Sequence, residues 1–165
     1  MEEALFFGET PQGLYIKALG HITAGLCSDL KSQIFTRLDK LDLPKPEEMV
    51  MDLSACDYMD STFMGLIVGF NKKFKQLTGK KLEILNPSKE CMKLLTSLGI
   101  VKLLDISSDS DKIFPQNLEK LSKGEKPTAE LLLKAHENLS EISLENEKKF
   151  SVLQDILKKQ LNSGT

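Results

Sequence analysis

Residues 47–69 constrain the fold of this chain more than any other stretch. An apolar, strand-like run at 49–53 is followed by a turn, and Asp60, Ser61 and Thr62 then stand at the start of an amphipathic helix. The first N–H groups of a helix have no partner within the helix, and the helix dipole places partial positive charge there, so an anion is stabilised at this end. The segment therefore predicts that a phosphoryl group on Ser61 or Thr62 is accommodated. The plainer interpretation is an N-cap cluster with no further role, because Asp, Ser and Thr are common at helix starts.

Short apolar runs alternate with helical patterns along the first two thirds of the chain. The first two runs are joined by Thr10-Pro11-Gln12-Gly13, a turn sequence typical of a hairpin. The predicted strands are residues 4–7, 14–19, 49–53, 82–85 and 101–106.

The helices are predicted from apolar residues that recur every three or four positions. Pro44 and Pro46 end the first helix, and Gly79 ends the second. Asn86-Pro87 supplies the N-cap and first position of the third helix, which Gly99 ends. These helices are residues 26–41, 62–78 and 87–98.

The alternation of strands and helices predicts the fold class. Helices between strands act as crossover connections, which build parallel pairing, while the opening hairpin adds an antiparallel pair. We therefore expect an α/β protein with one domain at residues 1–115, in which helices pack on a mixed sheet. Partners of such sheets usually meet the loops at the carboxyl ends of the parallel strands, and the Asp60-Ser61-Thr62 turn is one of these.

Residues 116–165 are expected to form a helical C-terminal extension. A polar connector at 107–111 precedes a short predicted helix at 116–121, and a second joint follows at 124–127. Residues 128–161 contain no Pro or Gly, so they predict one helix of about 34 residues, roughly 50 Å long.

The apolar positions of this long helix keep a three-four spacing that Asn146 interrupts. The spacing is compatible with a coiled coil that forms a homodimer, or with docking on a partner. It is equally compatible with a helix folded back on its own domain, or broken into a hairpin near 143–146.

Composition excludes several function classes. The 165 residues are 41% hydrophobic and 28% charged, which is typical of a globular protein, and the net charge of −2 gives no indication of nucleic-acid binding. The chain shows no signal-peptide pattern at its start and no apolar run long enough to cross a bilayer, so we expect a cytoplasmic protein without a membrane partner. Cys27, Cys56 and Cys91 are widely spaced and are interpreted as small buried hydrophobes.

Two segments together resemble the STAS domain, the fold of bacterial anti-sigma factor antagonists. The first contains Asp52-Leu53-Ser54, Tyr58-Met59 and Asp60-Ser61-Thr62-Phe63-Met64-Gly65, similar to the family's D-S-[ST]-G-[LM]-G pattern. The second runs through residues 81–87 and a helix that ends in Ser97-Leu98-Gly99-Ile100. The resemblance covers roughly residues 4–115.

The resemblance implies a function based on partner switching. In such antagonists the second hydroxyl after the Asp is phosphorylated by an anti-sigma factor serine/threonine kinase, which corresponds to Thr62, with Ser61 as second choice. The unphosphorylated domain would bind the kinase and free a sigma factor, and a phosphatase would restore binding after phosphorylation. The alternative is a STAS scaffold or complex subunit that binds partners without being phosphorylated.

The sequence departs from the family pattern at two positions near the acceptor. Phe63 replaces the usual Gly, and Thr23 stands where phosphorylated members often carry an acidic residue. The expected partner-binding face comprises Thr23, Asp60, Phe63 and Met64, together with the acceptor hydroxyls.

An enzyme is the competing class, and the sequence does not favour it. His21 and His136 are the only histidines, they lie in different segments, and neither has metal-ligand spacing around it. The chain also lacks the glycine-rich motifs of common nucleotide sites. We therefore expect no catalytic residue, no bound metal and no cofactor, and we interpret both histidines as packing or solvated residues.

Overall fold

A computed structural model of the chain describes residues 2–108, 112, 114–123 and 126–163. The described residues form a six-stranded sheet in the order β5-β4-β3-β2-β1-β6. Strands β2 to β5 pair in parallel, and β1 pairs antiparallel with both β2 and β6, so the predicted mixed sheet is confirmed. The strands are β1 (Ala4–Glu9), β2 (Gly13–Ile22), β3 (Glu48–Met59), β4 (Glu83–Leu85), β5 (Asp105–Ser107) and β6 (Glu119–Lys120).

Five α-helices accompany the sheet within the described ranges. The first three correspond to the helices predicted for the domain, and the last two form the C-terminal extension. They are α1 (Cys27–Leu38), α2 (Ser61–Thr78), α3 (Lys89–Ser97), α4 (Ala129–Ser140) and α5 (Leu144–Ser163). None of these helices combines the length and apolarity that crossing a membrane requires.

The third helix begins later than the sequence predicts. Asn86 is not its N-cap but adopts a left-handed φ of 47°, and Ser88 is the N-cap instead. The Ser88 hydroxyl accepts a hydrogen bond from the Cys91 N–H at 3.1 Å and donates one to the Cys56 carbonyl at 2.5 Å. The helix start is therefore set by a contact with β3, which a local pattern does not reveal.

The prediction of a short helix at 116–121 is wrong. Glu119 and Lys120 form strand β6 opposite Phe7 and Phe6, and the Leu121 N–H donates to the Leu5 carbonyl at 2.8 Å. The free edge of β1 offers unpaired backbone groups, and pairing with them outweighs the helical preference of this segment. The neighbouring predicted joints at 107–111 and 124–127 lie partly outside the described residues.

The single long helix predicted at 128–161 is also wrong, because residues 141–143 separate α4 from α5. The Ser143 hydroxyl accepts from the Asn146 N–H at 3.1 Å. The Asn146 side-chain nitrogen donates to the carbonyls of Leu139 and Leu98, both at 2.9 Å. These contacts explain why the chain reverses at the point where Asn146 interrupts the apolar spacing.

The α4–α5 hairpin is folded back on the domain, which is one of the arrangements that the spacing left open. Helix α4 packs along α2 as well as against α5. Leu139 and Phe150 of the hairpin belong to the same buried cluster as Phe63 of α2 and Met51 of the sheet. The C-terminal extension and the sheet domain thus share one core.

Candidate functional site

Asp60 organises the turn between β3 and α2. It is the N-cap of α2, and its Oδ1 atom accepts from the Phe63 N–H at 2.9 Å. Its Oδ2 atom accepts from the Ala24 N–H at 2.8 Å, and its own N–H donates to the Ile22 carbonyl at 3.0 Å. One carboxylate therefore joins the start of α2 to the segment that follows β2, and the predicted capping role of Asp60 is confirmed.

Thr23 lies at the same end of the sheet as Asp60. It directly precedes Ala24, and its side chain is exposed. Its backbone is extended, and its carbonyl accepts from the Leu26 N–H at 3.0 Å. The structure thus brings Thr23 and Asp60 together although they are far apart in sequence.

Two exposed aromatic rings lie beside these residues, and sequence reasoning missed their association. The centroids of His21 and Tyr58 are 5.7 Å apart, and Tyr58 is 44% exposed. The residues are paired in register on β2 and β3, just before Thr23 and Asp60. Both residues lie near the ends of neighbouring strands, and this pairing is the feature from which their contact could have been inferred.

Ser61 begins α2 and contacts a histidine of the C-terminal extension. Its Oγ atom lies 2.7 Å from Nε2 of His136. The His136 Nδ1 atom lies 2.7 Å from the Leu132 carbonyl, which can only accept, so Nδ1 carries a proton. In the neutral ring Nε2 then accepts from the Ser61 hydroxyl, and such a contact makes the serine oxygen more nucleophilic.

His136 is therefore neither solvated nor a simple packing residue. It is 2% exposed, and its ring centroid lies 5.1 Å from that of Phe150 in α5. In the sequence, His136 appears only as a polar residue beside the apolar stripe of α4. That position does not identify Ser61 as its partner.

The side chain of Thr62 is buried in the first turn of α2, with 4% of its surface exposed. Phe63 and Met64, expected at the partner-binding face, are also buried and belong to the core cluster. In this conformation the exposed part of the expected face is contributed by Thr23, with partly exposed side chains at Asp60 and Ser61.

Helix α4 approaches the backbone of α2 closely just after these residues. A Cβ atom on Gly65 would overlap the Ala135 carbonyl oxygen, and a Cβ atom on Gly69 would lie 2.8 Å from the Asn138 side-chain nitrogen. That nitrogen donates to the Gly65 carbonyl at 3.2 Å. The two glycines, one turn apart on α2, thus make room for α4.

Open clefts flank the contact between α4 and α2 on both sides. A cavity of about 580 Å³ borders α4 on the side of Phe35 and Leu66, and another of about 560 Å³ borders it on the side of Val68 and Leu103. The Oδ1 atom of Asn138 is buried and accepts no hydrogen bond from the residues that the structure describes. Leaving a buried acceptor unpaired costs free energy, which weakens the docking of α4.

A buried thiol lies beneath the turn. Burial raises the pKa of Cys27, and the nearby Asp60 carboxylate raises it further. The Cys27 sulfur lies 3.4 Å from the Thr23 carbonyl. The thiol is therefore neutral at ordinary pH and acts as part of the packing.

Comparisons with known proteins agree with the observed fold. The family model of the STAS domain matches residues 9–115. A solved structure of the anti-sigma factor antagonist SpoIIAA in its unphosphorylated form is similar in fold, with a TM-score of 0.54 and 17% sequence identity. The similarity covers 64% of this chain and 90% of that chain. Among curated proteins, none matches the chain in sequence.

Proposed function

Because this chain belongs to the STAS domain family, we propose that it is an anti-sigma factor antagonist that changes partners under the control of phosphorylation. The observation that carries this proposal is the position of Asp60, Ser61 and Thr62 where β3 ends and α2 begins. The protein would act in the cytoplasm as a binding module rather than an enzyme. Its proposed partners are an anti-sigma factor serine/threonine kinase and a phosphatase.

Thr62 is the proposed phosphoacceptor, and Ser61 is the second choice. A phosphoryl group adds about −1.5 to −2 charges, which the N-terminus of α2 stabilises through its dipole and its unpaired N–H groups. On the surface that a partner contacts, the same charge would disturb an interface formed with the unmodified domain. Because Thr62 is buried, its modification requires the first turn of α2 to become accessible.

The proposed partner-binding face includes Thr23, Asp60, Phe63 and Met64. Thr23 and Asp60 meet at one end of the sheet, with the exposed pair His21 and Tyr58 beside them. Phe63 and Met64 would contribute through the shape of the first turn of α2, or directly once α2 is uncovered.

A binding experiment in native cells tests the proposal. The full chain and its Thr62→Glu and Thr62→Ala variants are isolated with their bound proteins, which are identified by mass spectrometry. We expect an anti-sigma factor kinase with the wild-type and Thr62→Ala proteins, and its loss with Thr62→Glu. Thr36→Glu, which adds the same charge at an exposed position of α1, controls for the charge, and the free energy of unfolding of Thr62→Glu shows whether a glutamate at this buried position leaves the fold intact. Equal kinase binding by all four proteins would contradict the switch.

The second candidate function is a STAS scaffold that is never phosphorylated. Two observations favour it: Thr23 replaces the acidic residue that phosphorylated members often carry, and Thr62 is buried. A scaffold would retain its partners in the Thr62→Glu variant, so the same experiment separates the two functions.

A homodimer through the C-terminal extension is a further proposal. Helix α5 leaves Val152, Leu153 and Ile156 exposed on neighbouring positions. If these residues form the dimer contact, Ile156→Glu lowers the mass in solution from a dimer to a monomer, whereas a monomeric wild-type protein would contradict the proposal.

A further inference from the structure

We propose that the face of α2 formed by Ser61, Thr62, Gly65 and Gly69 is a helix-binding surface, which α4 occupies within this chain and from which a helix of the partner protein displaces it. This inference rests on the proposed function in one respect, namely that the partner uses the Asp60-Ser61-Thr62 end of α2. The C-terminal extension then acts as an internal competitor of the partner.

The contacts of α4 fall on the residues that define the proposed switch. The His136 imidazole contacts the Ser61 hydroxyl at 2.7 Å, and Asn138 donates to the Gly65 carbonyl at 3.2 Å. Thr62, between these contacts in sequence, is 4% exposed. A protein that binds α2 through the Ser61 hydroxyl and the Gly65 backbone therefore competes with α4 for the same atoms.

The shape of the surface fits a helix. Gly65 and Gly69 lie one turn apart, and the Ala135 backbone fills the space that a side chain on Gly65 would need. Such a groove admits a second helix only if that helix presents a small side chain at the crossing point, as α4 does with Ala135. The partner segment that fits this surface is thus a helix that places a small residue against Gly65. Beside that residue, the helix presents a hydrogen-bond acceptor for Ser61.

The docking of α4 has the features of a displaceable contact. Open clefts of about 580 and 560 Å³ leave both edges of α4 accessible from solvent, and the buried Asn138 Oδ1 atom accepts no hydrogen bond from the described residues. The Lys72–Glu141 ion pair at its end, 3.0 Å between Nζ and Oε2, is solvent-exposed and so contributes little. Moreover, α4 lies outside the residues 9–115 that match the family model. The helix-binding surface on α2 therefore belongs to the family domain, whereas the helix that occupies it belongs to the C-terminal extension.

The experiment uses the full chain and a pair of variants that introduce the same side chain at adjacent positions of α4. Ala135→Arg places an arginine against Gly65, whereas Lys134→Arg places it on the exposed side of α4. Hydrogen exchange of residues 61–69 reports whether α4 is docked. A fluorescent peptide of residues 126–163 reports whether the vacated surface binds a helix supplied in trans.

We expect exchange at residues 61–69 to be at least about tenfold faster in Ala135→Arg than in Lys134→Arg or the wild type, with exchange in β2 and β3 unchanged. The peptide should bind Ala135→Arg at least about tenfold more tightly than it binds the wild type, and an Ala135→Arg peptide should not bind. If Ala135→Arg loses protection in the sheet as well, Asn138→Ala replaces it, since this change removes the Asn138 side chain with its bond to Gly65 and adds no volume.

Unchanged exchange at residues 61–69 in both variants would overturn the inference, as would peptide binding that is equal for wild type and variant. Neither measurement depends on a phosphoryl group or on a sigma factor. A protein that is never phosphorylated would therefore contradict the proposed function while leaving the result on the helix-binding surface intact.

Discussion

The Ser61 hydroxyl lies 2.7 Å from the Nε2 atom of His136, although 75 residues separate the two in the sequence. This hydrogen bond connects the first turn of α2 to the C-terminal extension. It places a titratable ring directly against a residue of the proposed switch, and the His136 Nδ1 contact with the Leu132 carbonyl fixes the orientation of that ring.

A double-mutant cycle measures the strength of this contact. His136→Ala, Ser61→Ala and the double variant are unfolded with urea, and we expect a coupling free energy of about 1 kcal/mol, since a typical protein hydrogen bond contributes that much. His21→Ala, at an exposed histidine that does not contact Ser61, should show no coupling to Ser61→Ala. A coupling indistinguishable from zero for His136 would mean that the hydrogen bond does not contribute in solution.

The close approach of α4 makes Gly65 intolerant of a side chain. Gly65→Ala places a methyl group into the Ala135 backbone, and such overpacking typically costs about 1–3 kcal/mol. Gly25→Ala is the control, because no atom of the described residues lies within 4 Å of a Cβ atom there. The free energies of unfolding of both variants should be compared with that of the wild type. Equal stability of Gly65→Ala and Gly25→Ala would show that α4 does not dock on α2 as described.

The pH dependence of stability should include a contribution from Glu48. Burial opposes ionisation of this carboxyl, but hydrogen bonds from Lys112 and Tyr15 outweigh burial and lower its pKa from the ordinary value of 4.5. A carboxyl with a lowered pKa in the folded state stabilises the protein above its unfolded pKa, and the contribution is lost as the pH falls through the folded pKa.

We therefore expect the wild type to be more stable than Glu48→Gln at neutral pH, and the difference to shrink on acidification below about pH 4.5. Chemical unfolding from pH 7 to pH 3 measures this difference. Glu47→Gln, which changes an exposed neighbour, should show no such trend. A difference for Glu48→Gln that stays constant over this range would contradict the assignment.

The local parts of the site could be predicted from the sequence. Asp60 precedes two hydroxyl residues and an amphipathic pattern, and capping depends only on neighbours in the chain, so its role follows from the segment itself. The alternation of strands and helices likewise indicates the mixed sheet. These predictions use interactions between residues that are close in sequence.

The docking of α4 on α2 could not be predicted, because it depends on contacts between distant segments. Nothing near Ser61 indicates His136, and nothing near Gly65 indicates Ala135. Asn146 interrupted the apolar pattern, but its bonds to the Leu98 and Leu139 carbonyls, which stabilise the hairpin, appear only in the folded chain. The same limit applies to β6, whose partner is the distant edge of β1.

Phosphorylation of the Asp60-Ser61-Thr62 turn is tested by mass spectrometry of the full chain isolated from its native cells under several growth and stress conditions. We expect a phosphoryl group on the peptide that contains Thr62, assigned by fragmentation to Thr62 or, as second choice, to Ser61, with an occupancy that changes between conditions. A peptide that remains unmodified under every condition would contradict the phosphorylation-controlled switch and would favour the unphosphorylated STAS scaffold.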